Sequence, residues 1–347
     1  MVTGRQDNAL LIVNADDFGI SEGVNEGIVE AHRRGILTST TAMANMPAFD
    51  HAVQLRRDTP ELGVGIHLNL TSGTPLLPPS QVPALVRPDG RFHTLSFMLR
   101  QLTLGRLDEG QIEVELRAQV ERVMSAGIQP THVDSHHHVH MHPRLQPIVV
   151  EVAQRYGIRA LRSTFELGPR EAVARAGMLL DGGDGSLPQD DARPRPPMAI
   201  ADGTIHVHRP SDEGGVTKAT EEVNLEGRTP VAETPRQRYL KAMLMSSLGA
   251  LLRWRAQRVG LVVPGHFQGF MLGLAFSSAD LLGVLERLPA GSTELMCHPG
   301  YPDEALRRQT SYSDGRDSEL KALLDPADRS VLQRMGVRLG TFADLDR

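Results

Sequence analysis

Short apolar runs in this chain end, again and again, in residues that chemistry rather than packing would select. Ala9-Leu-Leu-Ile-Val-Asn-Ala15 runs into Asp16 and Asp17, and Leu62-Gly-Val-Gly-Ile-His-Leu-Asn-Leu70 carries His67 and Asn69 near its end. Thr131-His-Val-Asp-Ser-His-His-His-Val-His-Met-His-Pro143 holds six of the chain's 14 histidines. Continuous apolar runs of this length suit strands buried on both faces, as in a parallel sheet. Amphipathic segments separate them. Ser21 stands as N-cap before Val24, Ile28 and His32 at i+4 spacing, and Ile112, Leu116, Val120 and Val123 form one stripe ahead of the histidine-rich run. Strand alternating with helix, each strand ending in polar groups, predicts a parallel sheet or barrel with its chemistry at the carboxyl ends of the strands.

The same reading continues along the chain. A strand is expected at Leu37-Thr-Ser-Thr-Thr-Ala-Met-Ala44 and a helix at 49–57, then a proline-rich excursion over 71–110. Pro143 can open a helix over 145–156, where its missing N–H is not needed. Ile158-Arg-Ala-Leu-Arg162, Val259-Gly-Leu-Val-Val263 and Thr293-Glu-Leu-Met-Cys-His298 read as further strands, and Gly336-Val-Arg-Leu-Gly-Thr341 as a terminal strand or hairpin remnant. Over 237–257 a helix is expected whose Tyr239, Leu240, Met243, Leu244, Leu248, Leu251 and Leu252 serve as core. Residues 181–235 lack apolar spacing and read as an insertion, loop or disordered, either a lid or inert. With 347 residues, one large barrel carrying that insertion accounts for the chain as a single domain over 1–347.

Charge narrows the partners. A net charge of −5 argues against a nucleic-acid groove or an anionic membrane surface as the main partner. A single cysteine, Cys297, excludes an internal disulfide and fits a reducing compartment. Residues 1–8 lack the charged-then-apolar order of a signal peptide and no apolar run reaches membrane-spanning length, so a cytoplasmic protein is expected.

Within the histidine-rich run, strand alternation would point His132, Asp134 and His136 one way and Val133 and Ser135 the other. Buried imidazoles need partners, and a metal ion with a supporting carboxylate supplies them. Strand ends thus offer Asp16 and Asp17, His67, His136 with its neighbours, and His298. One carboxylate with two imidazoles is a workable catalytic site for zinc, and the same set accepts other divalent ions. The second aspartate of the pair is then free to act on metal-bound water.

Asn14-Ala-Asp-Asp-Phe-Gly19, Gly65-Ile-His-Leu68, the run from Thr131 to His140 and Met296-Cys-His-Pro299 together resemble the YdjC-like carbohydrate deacetylases. This family includes the chitooligosaccharide deacetylases and a hopanoid-biosynthesis branch. The resemblance covers about 8–163 and 290–302, and is weak across 181–235 and Pro264-Gly-His-Phe-Gln-Gly269. It implies an α/β fold, an irregular (β/α) TIM-like barrel of the glycoside hydrolase and deacetylase superfamily. It also implies Asp17, His67 and His136 as ligands of one divalent ion, zinc or magnesium, with Asp16 as general base and His298 as general acid. The expected reaction is hydrolysis of an N-acetyl group on an amino sugar, with Asn69, Asp134 and Arg162 expected to bind that small carbohydrate. A homodimer is left open. Two rivals stand beside it: a metal-dependent phosphoesterase on a similar barrel, using the spare His138, His140 and His142, and a non-catalytic metal-binding protein.

Overall fold

The computed structural model describes residues 9–166 and 234–345. The expected insertion at 181–235 lies, but for its last two residues, outside the described residues. The strands are β1 (Leu10–Phe18), β2 (Ser39–Ala42), β3 (Gly63–Leu68), β4 (His132–Ser135), β5 (Ala160–Leu161), β6 (His266–Gln268), β7 (Ser292–Cys297) and β8 (Arg338–Leu339). Every pairing between them is parallel, in the order β5-β4-β3-β2-β1-β7-β6, with β8 added to β1. The segment before and within β6 closes the ring. Leu161 N donates to Val262 O at 3.0 Å, Val262 N to Arg159 O at 2.9 Å and Phe267 N to Phe165 O at 3.1 Å, while β6 itself pairs with β7. The result is an irregular barrel, as the motifs implied.

Period-two alternation divides each strand between two environments. On β1, Leu11, Val13 and Ala15 join the large cluster packed under the helices, whereas Leu10 and Ile12 meet Ala160 and Phe342 inside the barrel. Val133, Leu161, Leu295 and Cys297 likewise face the helices. An apolar layer fills the interior at the amino end of the strands. There Phe342 acts as a plug, its ring stacked on His132 with centroids 3.5 Å apart. Gly65 makes room for that imidazole: a Cβ at this position would stand 2.4 Å from His132 Nδ1.

The connecting helices follow the expected caps. Ser21 accepts from Val24 N at the start of the Glu22–Arg34 helix, and Thr234 forms a capping box with Gln237 ahead of Pro235–Arg258. Three local expectations need correction. Pro147, not Pro143, occupies the first turn of the Gln146–Arg155 helix, because the histidine-rich turn extends to Met141. Residues 259–263 contribute a single bridge, Val262 to Ala160, instead of a full strand. Of the two readings of 336–341 it is the terminal strand that forms, β8, parallel to β1. In Pro235–Arg258, Tyr239 and Leu252 are buried as expected, yet Leu240, Met243 and Leu244 are exposed among the described residues. No helix among the described residues is long and apolar enough to cross a membrane.

The C-terminal helix Pro326–Met335 contains a buried carboxylate, Asp328, whose two oxygens find no hydrogen-bond partner among the described residues. Burial, and then the charge of Asp325, push its carboxyl from 3.8 up to about 7. A raised value favours folding while the group is protonated, so this contribution is complete below the usual carboxylate range and is lost as pH rises through the folded-state value. Asp328→Ala is therefore expected to raise the thermal midpoint more at about pH 8.5 than at about pH 5, as thermal unfolding at both would show.

Candidate active site

The carboxyl end of β1 does not continue the alternation. Register with β2 shifts between Ala15 and Phe18, and Asp17 takes a left-handed backbone with φ of 72°. A bulge of this kind spends one residue without pairing and re-aims its side chain. As a consequence Asp16 and Asp17 both line the same cleft, where a regular strand would send one of them outward. The end of β4 is treated in a similar way. After Ser135 the chain winds into a 3-10 turn, His136–Met141, in which His137 and His138 both have φ of 54°. Ser135 Oγ steadies the turn by accepting from His140 N at 3.0 Å.

These distortions gather three ligand-type atoms. Asp17 Oδ1 lies 3.4 Å from His67 Nε2 and 3.0 Å from His136 Nδ1, and the three donor atoms all fall within 4.8 Å of one another. The other oxygen of Asp17 is taken by Arg316, 2.5 Å away. His67 Nδ1 is 2.7 Å from Asp134 Oδ1, so its Nε2 faces Asp17. Thr41 Oγ1 donates to Asp134 Oδ2 at 3.1 Å and completes the support. A histidine held by a carboxylate on one nitrogen while the other faces a shared point is the usual arrangement behind a metal ligand. Asp17, His67 and His136 therefore fit a divalent ion. Asp16, His67 and Asp134 are also close together, but both of those carboxylates are engaged by Arg162.

Arg162 is fully buried and reaches three strands. Its NH1 and NH2 grip the two oxygens of Asp16 at 2.7 and 2.6 Å, NH1 also stands 2.9 Å from Asp134, and Nε donates to Glu294 at 2.7 Å. Burial alone would raise the Asp16 carboxyl, but Arg162, assisted by His67 and His298, outweighs it and holds the group well below the usual carboxylate range. Asp17 is likewise depressed, with Arg316 and His136 overcoming burial. Glu294 goes the other way: burial, reinforced by the Asp134 and Asp16 charges, pushes it up to about 8 despite Arg162. On the far side, His298 Nε2 lies 4.0 Å from Asp16 Oδ2. Glu319 accepts from His298 N at 2.6 Å, with His298 Nδ1 3.9 Å from the same oxygen. Burial lowers the His298 imidazole, and the carboxylates of Glu319 and Asp16 oppose that fall.

A cleft of about 340 Å³ opens over this floor, walled by His137, His138, Phe270, Met296 and Tyr312 among others. All five residues expected to do the chemistry, Asp16, Asp17, His67, His136 and His298, line it.

Comparison with known proteins places the chain in a family. A family model described as YdjC-like protein matches residues 10–334. The chain belongs to the YdjC-like family. It is 34% identical over 336 residues to a carbohydrate deacetylase of Geobacillus stearothermophilus, covering 96% of both chains. With a chitooligosaccharide deacetylase of Salmonella paratyphi B it shares 51% identity over 340 residues, 97% of this chain and 99% of the relative. A crystal structure of a candidate cellobiose-phosphate cleavage protein from Enterococcus faecalis V583 superposes with a TM-score of 0.64 at 24% identity, covering 98% of this chain and 99% of the other, and agrees in fold.

Within this family member, three residues expected at the substrate are placed elsewhere. Asn69 is buried, its side chain accepting from Thr71 N and Ser72 N and donating to Asn45, so it shapes a turn. Asp134 and Arg162 are also wholly buried and belong to the support beneath the cleft, because both are saturated by protein partners. His132 is not a ligand at all, being at the opposite end of the barrel against Phe342. Sequence reading missed Arg316, Glu319 and Glu294. The first two sit in Arg316–Leu323, which reads as an ordinary charged surface helix, yet both are buried. Only Glu294 carried a signal, a charge in the middle of an apolar strand.

For a divalent ion held between Asp17, His67 and His136, Asp134→Asn is expected to weaken binding by about 10- to 100-fold without removing a ligand, because it loosens the orientation of His67. Competition with a chelator would measure it; unchanged affinity would show that His67 needs no such support.

Proposed function

We propose that this chain is a metal-dependent hydrolase that removes the N-acetyl group from an acetylated amino sugar. The observation that carries the proposal is the division of labour at the cleft floor. Asp17, His67 and His136 converge on one point, while both oxygens of Asp16 are gripped by Arg162 and one of them lies 4.0 Å from His298. The names of the two long relatives, carbohydrate deacetylase and chitooligosaccharide deacetylase, support the same substrate class.

Asp16 is placed to accept the proton of the attacking water. The two-pronged Arg162 contact fixes the plane of its carboxylate and favours its ionised form. When bound, a divalent ion supplies Lewis acidity, polarising the amide carbonyl and acidifying the water, which offsets the low basicity that Arg162 imposes on Asp16. His298 delivers a proton to the leaving nitrogen, since an amide anion is too basic to depart. Glu319 holds the backbone of that histidine and faces its ring, which orients the imidazole toward the cleft. The C–N bond breaks, and acetate and a free amine leave.

The arrangement favours this reading over its rivals. A phosphoesterase with two or three metals needs more ligands, and among the described residues His138, His140 and His142 assemble no second set. His140 is bonded to Ser135, and His138 packs edge-on against Phe270 with centroids 5.0 Å apart. A simple metal store gives no reason for an acid–base pair beside the ligands.

Acetate release from N-acetylglucosamine oligomers, followed with added zinc, cobalt or magnesium and checked by the mass loss of one acetyl group, tests the proposal. Asp16→Asn is expected to keep its metal and lose roughly 100-fold or more in turnover, and His298→Ala to do the same. His136→Ala should lose metal and activity together. An Asp16→Asn protein that still turns over at the parent rate would dismiss the assigned base.

A further inference from the structure

One wall of the cleft is a loop, residues 269–275, and its position is set by two buried carboxylates. At its start Glu166, just beyond β5, accepts three consecutive backbone N–H groups: Gly269 N at 3.0 Å and Met271 N at 3.1 Å on Oε1, and Phe270 N at 3.0 Å on Oε2. Three amides on one carboxylate form a charge-assisted clamp, stronger and more directional than neutral contacts. At its end Ala275 N donates to Glu319 Oε1 at 3.0 Å, and Glu319 is the residue that holds His298 through Oε2. Ala275 has a left-handed backbone, φ 59°, which a loop adopts only when its ends are fixed.

The clamp reaches the cleft through side chains. Gly269, Phe270, Gly273 and Leu274 all line it, from the floor beside Met296 to the exposed rim at Leu274. Phe270 is buried and braces His138 edge-on, and so connects the loop to the strained turn that carries His136. At its other end the loop shares Glu319 with His298.

We propose that Glu166 is a positioning residue for substrate selection: by fixing the loop 269–275 it builds the wall against which sugar units beyond the reacting one are held. This rests on the deacetylase reading and extends it to chain length. A ligand occupying only the floor meets Asp16, Asp17 and His298. A longer oligosaccharide must also run along Phe270 and Leu274, and gains affinity only if that wall is in place.

Glu166→Gln keeps the shape of the side chain but removes the charge and replaces one acceptor by a donor. For triacetylchitotriose KM should rise about tenfold with kcat within about twofold, the size expected for losing a charge-assisted contact. N-acetylglucosamine monomer should show no change in kcat/KM, metal content should be retained, and amide hydrogen exchange at Gly269, Phe270 and Met271 should accelerate. Glu166→Asp, which keeps the charge, should recover part of the loss. Equal losses on both sugars, or faster exchange with KM for the trimer unaltered, would overturn the assignment. If the wild-type protein releases no acetate from either sugar, the deacetylase reading fails by itself. Calorimetric binding of triacetylchitotriose then decides the present point: weaker binding to Glu166→Gln supports it, and equal or undetectable binding to the two proteins overturns it.

Discussion

A guanidinium buried at the centre of a barrel, with carboxylates from three strands around it, governs the rest of this structure. Arg162 ties Asp16 on β1, Asp134 on β4 and Glu294 on β7 to the end of β5. Taking such charges out of water is expensive, and removing one member of a buried set typically costs about 3–5 kcal/mol because the others are left unpaired. The cluster is thus poor evidence of optimised stability. Its value is geometric: it fixes the carboxylates of Asp16 and Asp134, and through Asp134 it orients His67. Glu294, whose carboxyl is pushed up to about 8 by burial, limits how much negative charge the interior must hold.

Above that cluster, local backbone strain converts strand ends into a site. Asp17, His137 and His138 each occupy left-handed conformations that cost on the order of 1–3 kcal/mol for residues with a Cβ. The bulge at Asp17 allows two adjacent aspartates to serve one cleft. The double reversal at His137 and His138 stops the strand after Ser135 and folds His136 over toward Asp17. Strain of this sort persists because buried neighbours enforce it: Arg316 on Asp17, Ser135 on the turn, Phe270 against His138.

Much of the fold was legible before any coordinates, because buried parallel strands are short and uniformly apolar and their helices carry a plain 3.6-residue stripe. Where the pattern thinned, the reading failed. The segment around Val262 contributes one bridge and no full strand, and Leu240, Met243 and Leu244 gave no hint of facing outward from a helix that is apolar on several sides. Position at or near the end of an apolar run marked Asp16, Asp17, His67, His298 and the histidines after Ser135 as candidates, and the family resemblance selected His136 among its neighbours. Asn69, Asp134 and Arg162 could be named as polar groups near strand ends, but their assignment to substrate could not be corrected from sequence. Whether a polar side chain meets ligand or protein depends on what stands opposite, 132 residues away for Arg162 with Glu294 and 146 for Arg162 with Asp16.

The amino-acid sequence by itself determined the chemistry that is present: adjacent aspartates, separated histidines and the alternating elements that carry them to one end of a barrel. Local spacing suffices for that, since strand and helix periodicities are properties of neighbouring residues. Tertiary structure alone decided which partner holds each carboxylate. Arg316 and Glu319, from a helix that looks like surface, reach Asp17 and His298 from 299 and 21 residues away. Pairings between charges so far apart in the chain are chosen by burial, where an unpaired charge is too costly to remain, and no local pattern records that choice.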